Sequence, residues 1–275
     1  MGPTASGKTA YAVQLAKRIN GEIVSADSRL VYKGFNILCA KPTEEEKCGI
    51  KHYMIDVVEP ETDYSVANYC DDATLVIEDI LSRDKTPVVV GGTGLYFRVL
   101  LENFDIPRVP PNYDLRAELE KIDALELHKI LVELDKKSAE KIHYKNTVKV
   151  IRAIEVCKTL GIPMSEAAGK SESKFDVEWI GLNFSDREKL YERINSRVDK
   201  MIECGAVDET RSLLARHGRV SNFVNTIGYR EILSYLDGER SIEDAVVELK
   251  KVSRHYAKRQ LTWFRRNENI NWKYY

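Results

Sequence analysis

The stretch Gly2-Pro3-Thr4-Ala5-Ser6-Gly7-Lys8-Thr9 decides the fold, because it matches the phosphate-loop pattern G-x-x-x-x-G-K-[ST]. Its glycines leave room for successive backbone N–H groups to curl round phosphate oxygens. The lysine supplies a positive charge to the outermost phosphate, and the threonine hydroxyl is a ligand for Mg²⁺. The helix predicted directly after the loop, ending near residue 18, points its positive end at the anion. The sequence therefore predicts a phosphate-binding loop that opens a helix.

A phosphate loop ordinarily follows a buried strand, and only Met1 stands before Gly2 in this sequence. Two explanations stay open, namely an upstream start of the true chain or a sheet that lacks this strand. We expect the first of the two.

The composition limits the classes of function. The chain has 275 residues, 43% hydrophobic and 31% charged, with a formal net charge of −1. A chain of this length can form a sizeable hydrophobic core. Because its net charge is close to zero, the protein as a whole does not attract nucleic acid electrostatically, so any basic surface that binds it must be local. Its five cysteines contain no C-x-x-C pair, and its five histidines lack metal-ligand spacing. We predict a cytoplasmic protein without a membrane span, because the pattern of cysteines is typical of reduced thiols and the sequence shows neither a signal peptide nor an apolar run of about 18 residues.

Residues 1–108 alternate short apolar runs with helical patterns, which predicts a parallel α/β sheet. The predicted strands are 22–25, 53–58, 86–90 and 177–182, and the predicted helices of this part include 65–82 and 95–101. Ligands in such sheets gather at the carboxyl ends of the strands. We therefore expect Asp27, Gly91 and Thr93 to lie near the phosphate loop.

The rest of the chain is dominated by helical periodicity. Prolines at 107–111 mark a boundary, no convincing strand occurs in 112–174, and 170–174 is predicted to be a loop. Helices are predicted at 187–204, 207–217, 229–236 and 242–266. The predicted architecture is an α/β fold with a P-loop NTPase-like parallel sheet core and a helical C-terminal region, formed by residues 1–108 and 175–275. Residues 109–174 form an all-helical insertion.

Each of three sequence features allows two interpretations, one functional and one structural. Asp27 is either a carboxylate that faces the site, as a general base or a magnesium contact, or part of an Asx turn with Ser28. Residues 136–158 carry seven basic and two acidic residues, which is either a stripe for a polyanion or a solvated face. The last helix is also basic, which complements its dipole, but its end at 258–266 mixes cations, an amide, a hydroxyl and aromatic rings that can grip phosphates and stack bases.

A set of motifs in this order resembles the tRNA dimethylallyltransferase family, the tRNA isopentenyltransferases, of the bacterial type. The resemblance spans essentially the whole chain. The phosphate loop alone would be weak evidence, but the complete set is specific. Its members are the loop and the segments 25–28, 31–34, 40–42, 91–96, 152–156, 228–231 and 258–266.

The resemblance implies transfer of a dimethylallyl group from dimethylallyl diphosphate to the exocyclic N6 amine of the adenosine 3′-adjacent to the tRNA anticodon. Diphosphate is released and Mg²⁺ is required. The loop would hold the prenyl diphosphate rather than ATP, although older descriptions of the family label it ATP-binding. The implied partner is the tRNA anticodon stem-loop, clasped in part by the helical insertion, and we expect a monomer.

The resemblance also implies roles for individual residues. The implied catalytic residues are Asp27, as the base for the amine, with Lys8 and Thr93, and Thr9 would bind the metal. The implied diphosphate-binding residues are Gly2, Thr4, Ala5, Ser6, Gly7, Lys8, Thr9 and Arg211. The implied tRNA-binding residues are Asp27, Ser28, Arg29, Leu30, Thr93, Arg116, Val148, Lys149, Arg152, Gly228, Tyr229, Arg230, Lys258, Arg259, Gln260, Thr262, Trp263 and Arg265.

The sequence departs from the family pattern at two places besides its first residues. Leu38-Cys39 stands where the family usually has Gly-Thr, and Val148-Lys149 replaces commoner polar or arginine residues. Alternative functions are a small-molecule P-loop kinase and an inactive tRNA-binding remnant that lacks the first strand. An adenylate isopentenyltransferase is a nearer variant, but a mononucleotide substrate needs neither the insertion nor the basic last helix.

Overall fold

The computed structural model describes residues 1–102, 104–170 and 173–275, without the side chain of Lys170. It divides into two compact units, one formed by Met1–Phe97 with Val177–Tyr275 and the other by Arg98–Asp176. The first division between these units falls inside a helix, at residue 98, and the second falls at residue 177. In the described part of the chain, every helix is too short or too polar to cross a bilayer.

The first unit begins with a three-stranded parallel sheet, which confirms the α/β prediction. Its strands are β1 (Gly21–Ala26), β2 (His52–Tyr53) and β3 (Thr86–Gly91), in the order β2-β1-β3, and every residue of β1 is buried. Helix α1 (Lys8–Arg18) covers this sheet with Ala12, Val13 and Ala16, whose side chains pack with Ile23 of β1. The elements in chain order are α1 (Lys8–Arg18), β1 (Gly21–Ala26), α2 (Glu44–Lys47), β2 (His52–Tyr53), α3 (Val66–Ser82), β3 (Thr86–Gly91) and α4 (Gly94–Leu101).

The predicted strand 53–58 is wrong beyond its first residue. Met54 and Asp56 adopt left-handed backbone conformations, with φ of 61° and 55°, which a strand cannot contain. The segment instead follows the stretch after β1, where the amides of Val57 and Val58 donate to the carbonyl of Val31. The short apolar run there predicted a strand, yet Met54 alone of these six residues is buried.

In the described residues of the second unit, helices are accompanied by one short antiparallel strand pair, which the sequence analysis missed. Its core includes Leu127, Leu131 and Ile154. Strand β4 (Phe104–Asp105) pairs with β5 (Gly169–Lys170), which ends at the first residue of the predicted loop 170–174. Ser171 and Glu172 of that loop lie outside the described residues. The elements are β4 (Phe104–Asp105), α5 (Tyr113–Leu119), α6 (Ala124–Leu134), α7 (Lys136–Lys141), α8 (Thr147–Leu160), α9 (Met164–Ala167) and β5 (Gly169–Lys170).

The chain then returns to the first unit. Strands β6 and β7 form a separate parallel pair, and α10 packs against α14 through Leu190, Ile194 and Ala257. The backbone of Met1, the only residue before the loop, hydrogen-bonds to Ile180 and Leu182 of β6. The elements are β6 (Ile180–Asn183), α10 (Arg187–Glu203), α11 (Ala206–His217), α12 (Ser221–Val224), α13 (Tyr229–Leu236), α14 (Ile242–Phe264) and β7 (Asn271–Tyr274).

Candidate active site and RNA-binding residues

The phosphate loop has the backbone of an anion-binding nest. Ala5 and Gly7 are left-handed, with φ of 62° and 82°, and Gly7 immediately precedes α1. Such alternation turns successive N–H groups toward one side, and a left-handed alanine is strain of the kind that collects at functional sites. The hydroxyl of Ser6 is buried and has no hydrogen-bond partner among the described residues. The loop therefore offers unsatisfied polar groups to a ligand.

Lys8 is held inside the loop. Its Nζ donates to the carbonyl oxygen of Pro3 at 2.6 Å. Burial lowers the pKa of Lys8 to about 7, the positive charge of Arg197 adds to this effect, and the negative charge of Asp27 opposes it. Because an anion stabilises the ammonium form, a phosphate bound in the loop would restore the full charge of this lysine.

Two arginines of α10 reach the phosphate loop, and the sequence analysis missed both. Arg193 Nε donates to the carbonyl oxygen of Ala5 at 3.1 Å, and Arg197 Nη1 donates to Thr4 Oγ1 at 3.0 Å. Residues four apart lie on one helix face, so the spacing of these two was the available signal. Burial lowers the pKa of Arg197, whereas the charge of Asp27 raises it.

Arg211 pairs with Asp208 of the same helix, with Nη1 at 2.9 Å from Oδ1, and both side chains are exposed on α11. Its role at the diphosphate stays a prediction. Arg197, which donates to Thr4 of the phosphate loop, is a second candidate for that role.

Asp27 follows β1 and is fixed by its neighbours. Its Oδ1 accepts from the backbone N–H of Arg29 at 2.8 Å, so an Asx turn is present, although it closes on Arg29 and not on Ser28. Ser28 N–H donates to Thr93 Oγ1 at 3.0 Å, and Thr93 N–H donates to the carbonyl oxygen of Ala26 at 3.1 Å. The turn and the functional interpretation are compatible, because one carboxylate oxygen orients the group and the other is available for chemistry.

Asp27 and the groups around it are partly or fully buried. Burial raises the pKa of the Cys39 thiol and of the Tyr96 and Tyr256 hydroxyls, and the charge of Asp27 raises all three further. The unusual pair Leu38-Cys39 thus belongs to the wall of the site. The amide of Leu38 is held by Glu209 of α11, together with that of Ile37. A buried wall strengthens electrostatic interactions within the site.

The predicted tRNA-binding residues of the first unit differ in how far they are exposed to solvent. Tyr229 is fully buried in an aromatic cluster, and its hydroxyl donates to Glu209 at 2.7 Å. Gln260 is also internal, with 6% of its surface exposed. The exposed members are Arg230, Lys258, Arg259, Thr262 and Arg265, and partly exposed Trp263 packs its ring against Gly94.

In the second unit, the basic stripe does not lie on one helix, because α7 ends at Lys141 and α8 begins at Thr147. Val148 and Lys149 are exposed at the start of α8. Arg116 and Arg152 both bind the fully buried carboxylate of Glu155, and Arg116 does so through two nitrogens at 2.8 Å each. Glu155 thus holds both predicted tRNA-binding arginines in place.

Glu155 should make stability depend on acid pH. Its burial alone would raise its pKa, but the bonds from Arg116, the Asn112 amide and Arg152 outweigh burial and lower the pKa from 4.5 to about 2. Because the folded-state pKa is depressed, the stabilisation is present above about pH 4.5 and is lost as pH falls toward 2, by about 2 to 3 kcal/mol. Urea unfolding at several pH values should show the stability difference between wild type and Glu155→Gln shrinking through this window. A difference that is constant with pH would contradict this account.

A profile of a protein family described as IPP transferase matches residues 30–267. The chain belongs to the IPP transferase family. Its relatives in that family include a tRNA dimethylallyltransferase of Acetivibrio thermocellus, 48% identical over 99% of this chain and 89% of the relative. Another is a tRNA dimethylallyltransferase of Halalkalibacterium halodurans, 44% identical over 99% of this chain and 88% of the relative.

Solved structures of family members share the fold. The full-length tRNA isopentenylpyrophosphate transferase of Bacillus halodurans is 43% identical, with a TM-score of 0.74 over 99% of this chain and 87% of that one. A eukaryotic dimethylallyltransferase acting on tRNA is 31% identical, with a TM-score of 0.82 over 96% of this chain and 68% of that one. The P-loop-type α/β architecture predicted from the sequence is thereby confirmed.

Proposed function

We propose that this IPP transferase family member transfers a dimethylallyl group from dimethylallyl diphosphate to the N6 amine of the adenosine 3′-adjacent to the tRNA anticodon. The observation that carries this proposal is a phosphate loop held by two cations, since Lys8 donates to Pro3 and Arg197 donates to Thr4. The negative charge of Asp27 acts on the pKa of both cations, as expected of groups in one site. A cationic phosphate cradle beside a carboxylate is suited to a departing diphosphate and a proton-losing nucleophile. The names of the relatives support the same reaction.

The cradle binds the diphosphate and neutralises the charge that develops as it leaves. Backbone N–H groups at the end of the loop and in the first turn of α1 would surround the phosphate oxygens, while Lys8 and Arg197 would supply positive charge. Fixed charges aimed at a leaving group contribute more in a buried site than in water. The allylic C–O bond breaks, and its electron pair departs with the diphosphate.

The acceptor amine forms the new N–C bond, and its proton passes to the carboxylate of Asp27. An adenine amine is a weak nucleophile, so a positioned base contributes a large part of the rate. The target base must leave the anticodon-loop stack to reach the buried site. Ser28, Arg29 and Leu30, which follow the carboxylate, would line the pocket for this base, and Thr93 fixes the turn that contains them.

Magnesium fits the residues at the start of α1. The hydroxyl of Thr9 is exposed there, and that of Ser6 is buried without a partner among the described residues. The described part of the chain contains no group of three or more His, Cys, Asp or Glu that could hold a metal. This suits Mg²⁺, which commonly takes few protein ligands and relies on substrate phosphates. Bound there, it would neutralise negative charge on the departing diphosphate.

The tRNA contacts in this proposal are the exposed residues of α14, Arg230 and the basic residues of α8. Residues 109–174 serve as the tRNA-contacting insertion. The enzyme acts as a monomer in the cytoplasm, where unmodified tRNA is found.

Assays with labelled dimethylallyl diphosphate and labelled ATP test the function, with tRNA and AMP offered as acceptors. Transfer of the prenyl label to tRNA supports it, whereas phosphate transfer from ATP, or prenylation of AMP alone, would overturn it.

The end of α14 should contribute a salt-dependent part of tRNA affinity. We expect Lys258→Ala combined with Arg259→Ala to weaken tRNA binding about tenfold and to reduce the slope of log K against log salt by about one to two. The cause is the loss of two exposed charges that contact phosphates. Filter binding across a salt series measures both quantities.

The matched control removes two cations from the same helix, Lys250 and Lys251, which pair with Asp199 and Glu248. Its salt slope should stay that of wild type. If wild type and both double variants have the same salt slope, the end of α14 is a solvated surface that makes no contact with tRNA phosphates.

A further inference from the structure

Gln260 joins two loops that are far apart in the sequence. Its Oε1 accepts from the backbone N–H of Thr4 at 2.7 Å, and its Nε2 donates to the carbonyl oxygen of Gly92 at 2.9 Å. Both functional groups of this amide are therefore bonded to backbone. One end of the side chain holds the phosphate loop, and the other holds the turn after β3.

The turn that Gln260 holds also positions the carboxylate. Thr93 directly follows Gly92, and it hydrogen-bonds to Ser28 and to the carbonyl oxygen of Ala26, on either side of Asp27. On the other side, the hydroxyl of Thr4 accepts from Arg197. A continuous series of hydrogen bonds thus connects the phosphate-binding groups to the turn around the base, and Gln260 is its middle member.

The packing leaves Gln260 no access to an RNA strand. It is 6% exposed, whereas its neighbours Lys258, Arg259 and Thr262 are exposed. A Cβ atom added at Gly92 would lie 2.2 Å from Gln260 Nε2, so the side chain of Gln260 packs directly against the backbone of this turn. The family resemblance had placed Gln260 among the tRNA contacts, and the structure places it on the opposite, inner face of α14.

We propose that Gln260 is a positioning residue that fixes the phosphate loop relative to Asp27 and makes no contact with tRNA. It acts through the loop and not on the substrate. The inference rests on the proposed function for its effect on turnover, but its effect on phosphate binding is independent of that function. The backbone groups of a cradle bind an anion only while they converge, so releasing Thr4 should weaken anion binding.

Two variants distinguish the contributions of the two hydrogen bonds that Gln260 makes to Thr4 and to Gly92. Gln260→Met keeps the side-chain length and removes both bonds, while Gln260→Glu keeps the acceptor for Thr4 and loses the donor to Gly92. Gln14→Met is the matched control, because Gln14 is exposed on α1. The readouts are calorimetric affinity for inorganic pyrophosphate with Mg²⁺, filter-binding affinity for tRNA, and kcat and KM for prenyl transfer.

We expect Gln260→Met to weaken pyrophosphate binding about tenfold and to lower kcat/KM for the prenyl diphosphate by about 10- to 100-fold, since small misplacements of catalytic groups are costly. Affinity for tRNA should remain within about twofold of wild type, which is close to the error of such a comparison. Gln260→Glu should restore part of the pyrophosphate affinity, and Gln14→Met should match wild type.

Weakened tRNA binding with unchanged pyrophosphate affinity would overturn the proposal and make Gln260 an RNA contact. Unchanged pyrophosphate affinity in both folded variants would also overturn it. If Gln260→Met does not fold, Gln260→Glu decides alone, and its expected result is a weaker pyrophosphate affinity than that of wild type with intact tRNA binding. Absence of prenyl transfer in wild type itself would refute the proposed function, and the pyrophosphate comparison would still test the role of Gln260.

Discussion

Asp27→Asn is expected to lower the rate of prenyl transfer by about 10²- to 10⁴-fold, the usual contribution of a positioned general base. Asparagine has the same shape and keeps an oxygen for the N–H of Arg29, so the Asx turn should persist. It cannot accept a proton from the amine. The affinities for tRNA and for pyrophosphate should therefore change little, and the loss should fall on kcat in single-turnover assays.

The control for this variant is Asp84→Asn, which changes an exposed aspartate between α3 and β3. Its activity should equal that of wild type. Near-normal turnover by Asp27→Asn would remove Asp27 from the role of base and leave it as a turn residue. A loss of tRNA or pyrophosphate binding in proportion to the loss of turnover would mean that it acts in binding.

Arg197→Met should lower kcat/KM for dimethylallyl diphosphate by about 10²- to 10³-fold, as expected for the loss of a group that stabilises developing charge in a buried site. It also removes the bond that steadies Thr4 in the phosphate loop. Methionine keeps most of the side-chain volume, so the packing of α10 on α14 should survive. Steady-state kinetics with varied prenyl diphosphate, together with pyrophosphate calorimetry, measures the effect.

Arg211→Met decides between the two arginines that have been assigned to the diphosphate. Because Arg211 pairs with Asp208 on an exposed face, its replacement should change kcat/KM by less than about twofold, within the range of surface substitutions. A large defect in Arg211→Met with little effect in Arg197→Met would reverse the assignment and contradict the site geometry described above.

The sequence predicted the parts of the site that depend on local patterns. The phosphate loop, the strand before Asp27 and the glycine turn at 91–94 each follow from a few consecutive residues, and the structure brings Asp27 and Thr93 together as expected. The prediction of a strand at 53–58 failed because a short apolar run does not reveal the left-handed conformations of Met54 and Asp56. The pair β4–β5 is too short to produce a periodic pattern.

The contributions from distant helices could not be predicted. Arg197 reaches Thr4 only because α10 packs against α14, a contact between residues that are far apart along the chain. Gln260 lies on the same face of α14 as Ala245, Leu249 and Ala257, so the helical period indicated that it points inward, but its backbone partners in two distant loops could not be predicted. In the second unit, charge counting could not show that Glu155 binds Arg116 and Arg152.

The most direct test of the central claim is nucleoside mass spectrometry after the reaction. The chain is incubated with Mg²⁺, dimethylallyl diphosphate and unmodified tRNA, and the RNA is digested and analysed. We predict N6-dimethylallyl adenosine in the fragment that contains the anticodon, on its 3′ side, and none when Asp27→Asn replaces wild type over the same short incubation. A folded wild-type protein that binds tRNA and yields unmodified adenosine would contradict the account and identify a binding protein without this activity.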